Sequence, residues 1–498
     1  MESVKQSFLK QALLFIGIGI IALSCDSKKV EKERKDFFTQ ELMVLKDLFS
    51  IPGLSATIAQ GEDIIYEKHF GYSDLERQIP IDAQTAFPVA SLTKFFSANL
   101  IMKLVEEEKL SLNDPVNQYL PEIGLDKEIK IKHLLSHTSQ GDIGNEFYYS
   151  FRFGLLTQII EKASGIAFKD LMEEEIFDPL ELDNTFLLKD SAQLAQQDVT
   201  FALPYNLEEE IKEGFIDYGY SASAGIVSTS HDLLDFTQAI YSNQLITASS
   251  KLTLFDGLDN GLPYAYGIFK QEIEGLEVLW LYGQYDSYSS LLLTVPAKEL
   301  TLVVLANNNL MSDPARLIMG DVMSSLFAVS FLKNYIFDRT EMCLLEDESF
   351  VFTDSNANTF YRKKVLAQAL TESFMARFQT EKMKLSAHLI DQTFKKYPDF
   401  LEYADINLLH NLSFLKSVAF YRNLGEFNQF DSELEQIGSR LLQVAPNNPY
   451  AHSYMGTFYN RKGNKEKAFF HFKSIVDAQN FSSSWYTNEA KTWLIDNQ

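Results

Sequence analysis

The sequence predicts an α+β fold, in which an antiparallel sheet encloses a helical insertion and is followed by an all-α region. Residues 53–72 alternate apolar and polar side chains around the turn Gly61-Glu62-Asp63, which is typical of a β-hairpin. Helical periodicity dominates residues 91–243, and strand-like runs return in residues 266–306. These patterns indicate one α+β domain over residues 45–330 and a helical domain over residues 331–498.

The composition limits the classes of protein to consider. At about 150 residues per domain, 498 residues allow two or three domains. The net charge is −24 and no block of basic residues is present, so a nucleic acid partner is not expected. With only Cys25 and Cys343, the chain has neither a disulfide framework nor a thiolate zinc site.

The N-terminal residues predict that the protein is located in the cell envelope. Two lysines precede an apolar run over residues 12–23, which is shorter than the ~20 residues needed to span a bilayer. Ala22-Leu23-Ser24-Cys25 resembles the lipobox of bacterial lipoproteins. This resemblance implies a signal peptide over residues 1–24, lipid attachment at Cys25, a charged tether over residues 25–44, and a membrane-anchored protein in the periplasm or at the surface. The alternatives are an ordinary secretory signal or a buried first helix with an incidental cysteine.

Ser91 and Lys94 are the first candidates for chemistry, because they lie three residues apart at the predicted start of a helix. That spacing places both side chains on one helical face, within hydrogen-bonding reach. A serine hydroxyl needs a neighbouring base to become a good nucleophile, and a lysine can be that base when it is neutral. Burial and the positive end of the helix dipole both favour the neutral amine.

The later strands are expected in pairs around two turns. Residues 266–273 and 276–282 flank Glu274-Gly275, whereas residues 289–295 and 300–306 flank a four-residue turn that begins with Pro296. Turn residues between apolar runs are typical of hairpins, so these strands should complete the sheet begun by the first hairpin.

Ser91 and Lys94 belong to a series of sequence segments that follow one another in a characteristic order. The segments are Ser91-Leu92-Thr93-Lys94, Asn113-Asp114-Pro115-Val116, Ile131-Lys132-His133-Leu134-Leu135-Ser136-His137-Thr138-Ser139, Ile159-Ile160-Glu161-Lys162-Ala163-Ser164-Gly165, Ser223-Ala224-Gly225-Ile226-Val227-Ser228-Thr229 and Leu305-Ala306-Asn307. Their order resembles the superfamily of class C β-lactamases and penicillin-binding-protein-like serine hydrolases over roughly residues 45–330. The resemblance implies a β-lactamase/transpeptidase-like fold and acyl transfer through Ser91.

The second motif of this superfamily, Tyr-x-Asn, is found by counting back from Ile159. An ungapped count places its tyrosine at Tyr148 and its polar residue at Ser150. The resemblance implies that Tyr148 moves protons and that Ser150 contacts the substrate. A count shifted by one residue would select Tyr149 and put Phe151 in the polar position.

The third motif departs most from the superfamily pattern. The same kind of count places it at Leu281-Tyr282-Gly283, where relatives carry Lys-Thr-Gly or His-x-Gly. Gly283 still allows a close approach to a ligand, and the backbone N–H of Gln284 is predicted to complete an oxyanion hole with that of Ser91. Leu281 cannot hold a substrate carboxylate, so ester, amide or D-amino-acid peptide substrates fit better than β-lactams.

No metal or other cofactor is predicted. His133 and His137 lie four residues apart, but no third ligand completes a metal site in their segment.

The C-terminal residues predict a helical hairpin. Pro446-Asn447-Asn448-Pro449 precedes one helical segment, and a turn at Gly463-Asn464 leads to the next. Small residues at Gly456 and Ala468 would let the two helices pack closely, which resembles a tetratricopeptide repeat. The alternative is a plain bundle of helical hairpins. A protein partner is the expected ligand of this region.

Together these features predict a cell-envelope serine hydrolase that forms an acyl-enzyme with a small or short-peptide substrate. The alternative is a non-catalytic protein that binds a wall peptide in a degenerate hydrolase fold and recruits a partner through its helices. The changes at Ser150 and Leu281 favour this alternative, whereas Ser91, Lys94 and Tyr148 favour the enzyme.

Overall fold

The computed structural model describes residues 29–311, 317–478 and 484–497. The predicted signal peptide and Cys25 lie outside the described residues. Within these three ranges, no helix combines the length and the apolar character that crossing a bilayer requires.

In chain order, the strands of the described residues are β1 (Gly53–Gln60), β2 (Asp63–Asp74), β3 (Ile79–Pro80), β4 (Thr85–Pro88), β5 (Phe186–Leu187), β6 (Thr200–Phe201), β7 (Tyr205–Leu207), β8 (Ile211–Glu213), β9 (Ile226–Ser228), β10 (Phe269–Ile273), β11 (Leu276–Gln284), β12 (Ser289–Val295) and β13 (Leu300–Ala306). Seven of these strands form the main sheet, in the order β10-β11-β12-β13-β1-β2-β3 with antiparallel neighbours throughout. Because β1 pairs with β13, the first hairpin and the late strands form one sheet, as the sequence predicts.

The sheet is buried on both faces. Along β13, Val303 and Leu305 belong to the core under the helical insertion, whereas Leu302 and Val304 belong to a second core on the opposite face. Successive side chains of a strand point to opposite faces, so an unbroken apolar strand needs a cover on each side. The insertion provides one cover and helices from both ends of the domain provide the other.

The described residues form these α-helices: α1 (29–48), α2 (Thr93–Glu106), α3 (Val116–Tyr119), α4 (Ile131–Leu135), α5 (Leu156–Ser164), α6 (Phe168–Met172), α7 (Ser191–Leu194), α8 (Ser230–Tyr241), α9 (Ala248–Asp256), α10 (Leu326–Phe331), α11 (Thr359–Met375), α12 (Lys382–Lys396), α13 (Ile406–Tyr421), α14 (Asp431–Val444), α15 (Pro449–Arg461), α16 (Lys465–Asp477) and α17 (Trp485–Asp496). Short 3₁₀ helices comprise Ala90–Leu92, Pro121–Ile123, Phe151–Leu155, Asp178–Leu180, Pro296–Lys298, Val322–Ser324 and Pro398–Glu402, and π-helical turns comprise Glu173–Phe177 and Leu332–Ile336.

The insertion contains strands as well as helices. Strand β4, which leads to Ser91, lies in a four-stranded sheet of order β5-β9-β4-β6. The strands β5, β6 and β9 are two or three residues long, which is too short for alternation to be visible in the sequence.

The predicted tether is wrong over its described part, because α1 is a packed helix. Phe38 and Leu42 have no exposed surface, and both belong to the second core of the sheet. Apolar side chains four residues apart share one helical face, and burying that face stabilises the helix against solvation of its charged flank.

The predicted domain boundary at residues 330/331 is also wrong, because it cuts a continuous helical segment. Helix α10 runs directly into the π-helical turn Leu332–Ile336, and Phe327 and Phe331 are fully buried in the core shared with α1. The sheet-containing domain therefore includes residues on both sides of the predicted limits 45 and 330.

The remaining helices, α11 to α17, form the helical region. Gly456 on α15 faces Phe472 on α16, and a Cβ atom there would lie 2.9 Å from the Phe472 ring. This close approach was predicted from the small residue at position 456. Whether the hairpin belongs to a tetratricopeptide array stays a prediction.

Candidate active site

Ser91 lies where strand β4 turns into helix α2. The N–H of Val89 donates to the Ile226 carbonyl at 2.9 Å, so this approach is held by β9. Ala90 then adopts a φ of +48°, a left-handed conformation that is uncommon for a residue with a Cβ. Ser91 follows in a 3₁₀ turn and is partly exposed, so its hydroxyl is presented at a tight strand-to-helix turn.

Lys94 forms a hydrogen bond with the Ser91 hydroxyl, as the spacing predicts. Its Nζ donates to Ser91 Oγ at 3.0 Å and to the backbone carbonyl of Ser223 at 2.9 Å. Burial lowers the pKa of the Lys94 amine from 10.5 to about 7, because the charged form loses its hydration. A substantial fraction of Lys94 is therefore neutral near pH 7 and able to accept the Ser91 proton.

The tyrosine beside this pair is Tyr149, and the prediction of Tyr148 is wrong. The Tyr149 phenol is a hydrogen-bonding neighbour of Ser91, and its ring centre lies 5.1 Å from Lys94 Nζ. Tyr148 instead packs in the hydrophobic core of the helical region. Neighbouring side chains of an extended segment point in opposite directions, so a shift of one residue exchanges the two environments.

The Tyr149 phenol is protonated at neutral pH. Burial raises its pKa to about 12, and the hydrogen bond with Ser91 offsets only part of that rise. Tyr149 can therefore donate a proton, while the base of the pair is Lys94.

The corrected register also changes the interpretation of Ser150. Its hydroxyl accepts the N–H of Arg152 at 3.1 Å and so caps the 3₁₀ helix Phe151–Leu155. The prediction that Ser150 takes the place of the motif's asparagine is wrong, because Phe151 occupies that place. The Phe151 side chain is 83% exposed.

His137 forms hydrogen bonds to both ends of residues 148–150, the tyrosine segment. Its carbonyl accepts the N–H of Tyr148 at 3.0 Å, and its Nδ1 accepts the N–H of Ser150 at 2.9 Å. The imidazole also stacks on the Tyr149 ring at 4.2 Å. Burial and the Lys94 charge lower the pKa of His137 well below 6.5, so the ring stays neutral and keeps Nδ1 as an acceptor.

Replacement of His137 tests this clamp. We expect His137→Ala to lower the rate at which Ser91 reacts with a chromogenic ester probe about 10- to 100-fold, because Tyr149 loses its support. His137→Asn should retain most of the rate, since the amide oxygen can accept the Ser150 N–H in place of Nδ1. Steady-state kinetics of the two purified variants provide the comparison, and equal rates for both would contradict the clamp.

Strand β11 passes directly beside Ser91 at Gly283. A Cβ atom on Gly283 would lie 2.1 Å from the Val89 carbonyl oxygen, and Ser290 on the paired strand donates to that same oxygen at 2.9 Å. Gln284, the next residue, ends the strand. The geometry thus places the proposed oxyanion donors, Ser91 and Gln284, on two adjoining elements.

Leu281 is a buried apolar side chain and offers no polar group to a ligand. Its side chain is 2% exposed and packs in the core under the helical insertion. The position at which relatives carry a cation or an imidazole is therefore an apolar core position in this protein.

His133 serves a helix terminus. Its Nδ1 accepts the N–H of Lys130 at 3.2 Å, at the start of α4. Among the described residues, no group of three or more histidine, cysteine or carboxylate side chains is arranged to hold a metal ion.

Two contributors were not predicted from the sequence. The Ser223 carbonyl receives the Lys94 amine, and His137 supports Tyr149. Both lie in segments that carry the superfamily resemblance, so the segments were visible although the roles of these residues were not.

Comparisons with known proteins show the family of the sheet-containing domain. The Beta-lactamase family matches residues 44–318. Penicillin-binding protein 4* of Bacillus subtilis (strain 168) is 28% identical over 304 residues, which cover 50% of this chain and 66% of that protein. Protein flp of Staphylococcus aureus (strain MW2) is 26% identical over 302 residues, which cover 52% of this chain and 60% of that protein. This chain thus covers less than two thirds of either relative.

A solved structure shares the fold. The octameric penicillin-binding protein homologue from Pyrococcus abyssi superimposes with a TM-score of 0.50 and 22% identity, over 54% of this chain and 73% of that chain. The family match spans more than half of the chain and contains the main sheet and the Ser91 site. The chain therefore belongs to the Beta-lactamase family, within the superfamily of β-lactamase-like and penicillin-binding-protein-like serine hydrolases.

Proposed function

We propose that the protein is a serine hydrolase that acts through an acyl-enzyme on Ser91. The observation that carries this proposal is the hydrogen bond from the Lys94 amine to Ser91 Oγ. Burial lowers the pKa of that amine to about 7. A buried lysine that points at a serine hydroxyl and a carbonyl is suited to proton transfer, because neither partner holds the amine in its charged form as a carboxylate would.

The reaction follows from these positions. Neutral Lys94 takes the Ser91 proton while Oγ bonds to the carbonyl carbon, and the N–H groups of Ser91 and Gln284 stabilise the negative charge that forms on the oxygen. Tyr149 gives its proton to the leaving group as the bond to that group breaks, and the Lys94 ammonium reprotonates Tyr149. Water then attacks the acyl carbon and loses a proton to Lys94. As the bond between that carbon and Ser91 Oγ breaks, the Lys94 ammonium returns the proton to Oγ, so the acid is released and the neutral amine is restored.

Esters, amides or short D-amino-acid peptides are the proposed substrates. The burial of Leu281 supports this choice, because a β-lactam carboxylate would find no cation or imidazole at that position. Low turnover of penicillins is expected for the same reason. The name of the Bacillus subtilis relative concerns penicillin binding, and a penicillin acyl-enzyme that forms slowly and turns over slowly is compatible with this choice.

A second candidate function is binding without turnover. Phe151 stands in place of the motif's asparagine and is exposed, and Leu281 replaces the motif's cation. Both changes remove polar contacts to a substrate, as expected for a scaffold that holds a wall peptide and recruits a partner through the helical region.

One labelling experiment separates the two functions. The purified chain lacking residues 1–28 is treated with a fluorophosphonate or with a labelled penicillin, and the adduct is located by mass spectrometry. A stoichiometric adduct on Ser91, absent from Ser91→Ala and retained in the neighbouring control Ser97→Ala, is the expected result. If neither reagent modifies Ser91, the hydrolase proposal is wrong and the binding protein remains.

Anchoring in the cell envelope is a separate proposal, supported by the Ala22-Leu23-Ser24-Cys25 segment. Incorporation of labelled palmitate into the full chain in bacteria, and its loss in Cys25→Ser, is the expected result. Equal incorporation into both chains would overturn it.

A further inference from the structure

The active site is adjacent to the helical region, which lies beyond the family match to residues 44–318. Tyr148 is 3% exposed and shares its hydrophobic core with helices α11 to α17. Its neighbour Tyr149 lies against Lys94 and Ser91. Consecutive Cα atoms are about 3.8 Å apart, so one peptide unit joins the core of the helical region to the reacting groups.

Helix α15 reaches the same place through Tyr450. This residue is 5% exposed and packs edge-to-face on Tyr486 of α17, with ring centres 5.3 Å apart. It also belongs to the same hydrophobic core as Tyr148. The first turn of α15 therefore packs in the core that contains the residue directly before Tyr149.

Helix α17 contributes to the same contact. Arg152, which follows the tyrosine segment, interacts electrostatically with Tyr486. Its guanidinium also donates to the carbonyl of Ser139, in the segment that contains His137. The helical region thus packs against Tyr148, and its Tyr486 lies within electrostatic range of Arg152.

We propose that the helical region is a structural part of the active site, in which Tyr148 and Tyr450 are positioning residues that fix Tyr149 against Lys94 and Ser91. The inference rests on the proposed hydrolase function and adds residues from outside the family domain to it. Its physical basis is close packing, because a buried aromatic side chain can shift only if its surroundings shift as well. The Tyr149 ring lies against Lys94, so a displaced Tyr149 would admit water and weaken the effect of burial on the Lys94 pKa.

The test compares variants of the full chain, with p-nitrophenyl acetate as the probe substrate. Tyr148→Ala and Tyr450→Ala should lower kcat at least 10-fold with little change in KM. They should also raise the apparent pKa of the kcat profile above that of the wild type, because water reaches Lys94. Tyr148→Phe should restore the wild-type rate and profile, since the ring and its packing remain.

Leu389→Ala is the matched control. Leu389 is fully buried in the same core but lies on α12, which packs mainly against α11. This variant should lower the melting temperature while leaving kcat and the pH profile unchanged. If Tyr148→Ala does not fold, Tyr450→Ala carries the test.

The outcomes separate this inference from the proposed function. Wild-type kinetics and an unshifted pH profile in Tyr450→Ala, in a chain that still labels at Ser91, would overturn the inference alone. A wild-type chain that fails to label at Ser91 would overturn the proposed function and the inference with it.

Discussion

Lys94→Met should lower kcat/KM for ester hydrolysis about 10²- to 10⁴-fold, because Ser91 loses the base that accepts its proton. Methionine retains the length and the burial of the lysine chain, so packing changes little. Lys94→Arg should be equally inactive, since a guanidinium stays protonated and cannot act as a base. Rates of Ser91 labelling and of p-nitrophenyl acetate hydrolysis measure both losses.

The role of Lys94 as the base also predicts the direction in which the acylation rate changes with pH. The active form of Lys94 is the neutral amine, and burial lowers its pKa to about 7. The acylation rate of the wild-type chain should therefore rise as the pH increases through about 7 and level off above it. Lys103→Met is the control, because Lys103 lies on the same helix and pairs with Glu175 away from Ser91. A rate that does not change between acid and alkaline pH would contradict the assignment of Lys94 as the base.

Gly283→Ala should lower kcat/KM by about 100-fold, because even a methyl group cannot be accommodated between β11 and the Ser91 turn. The added Cβ would lie 2.1 Å from the Val89 oxygen and 2.4 Å from Ser290 Oγ. One of these contacts is with backbone, so β11 itself must move away from Ser91, and the Gln284 N–H moves with it.

Gly275→Ala is the control for the Gly283 substitution. Gly275 lies in the turn before β11 at a φ of +81°, and a Cβ atom added there would meet no other group within 4 Å. This variant should lose stability through backbone strain but should keep its acylation rate. Thermal unfolding and the rate of Ser91 labelling, measured on both variants, distinguish displacement of the strand from general destabilisation. Equal labelling rates in Gly283→Ala and the wild type would show that β11 does not contribute to the site.

The strands of the main sheet could be predicted because each carries its own pattern. Strands β12 and β13 have the predicted bounds, 289–295 and 300–306, since apolar runs and the turn at Pro296 mark both ends. Helix α1 could have been predicted too: Phe38, Leu42 and Leu45 follow helical spacing, but the charged residues before them led to the prediction of a tether.

The tyrosine could not be chosen reliably from the sequence. Tyr148 and Tyr149 are both tyrosines and adjacent in the chain. An ungapped count from Ile159 can be wrong by one residue, which is the whole difference between them. The choice depends on which face of an extended segment meets Lys94 and which meets the helical region, and only the packing of both domains decides this.

The sequence by itself determined the α+β domain, the helical region, the Ser91 and Lys94 pair, and Gly283 as the close approach of the third motif. These features depend on local spacing and on turn chemistry, which are properties of neighbouring residues. The tertiary structure alone decided the low pKa of Lys94, the choice of Tyr149, the clamp by His137 and the contact of the helical region with the tyrosine segment. Each of these depends on which atoms exclude water from a group or press against it, and those atoms come from elements far apart in the chain.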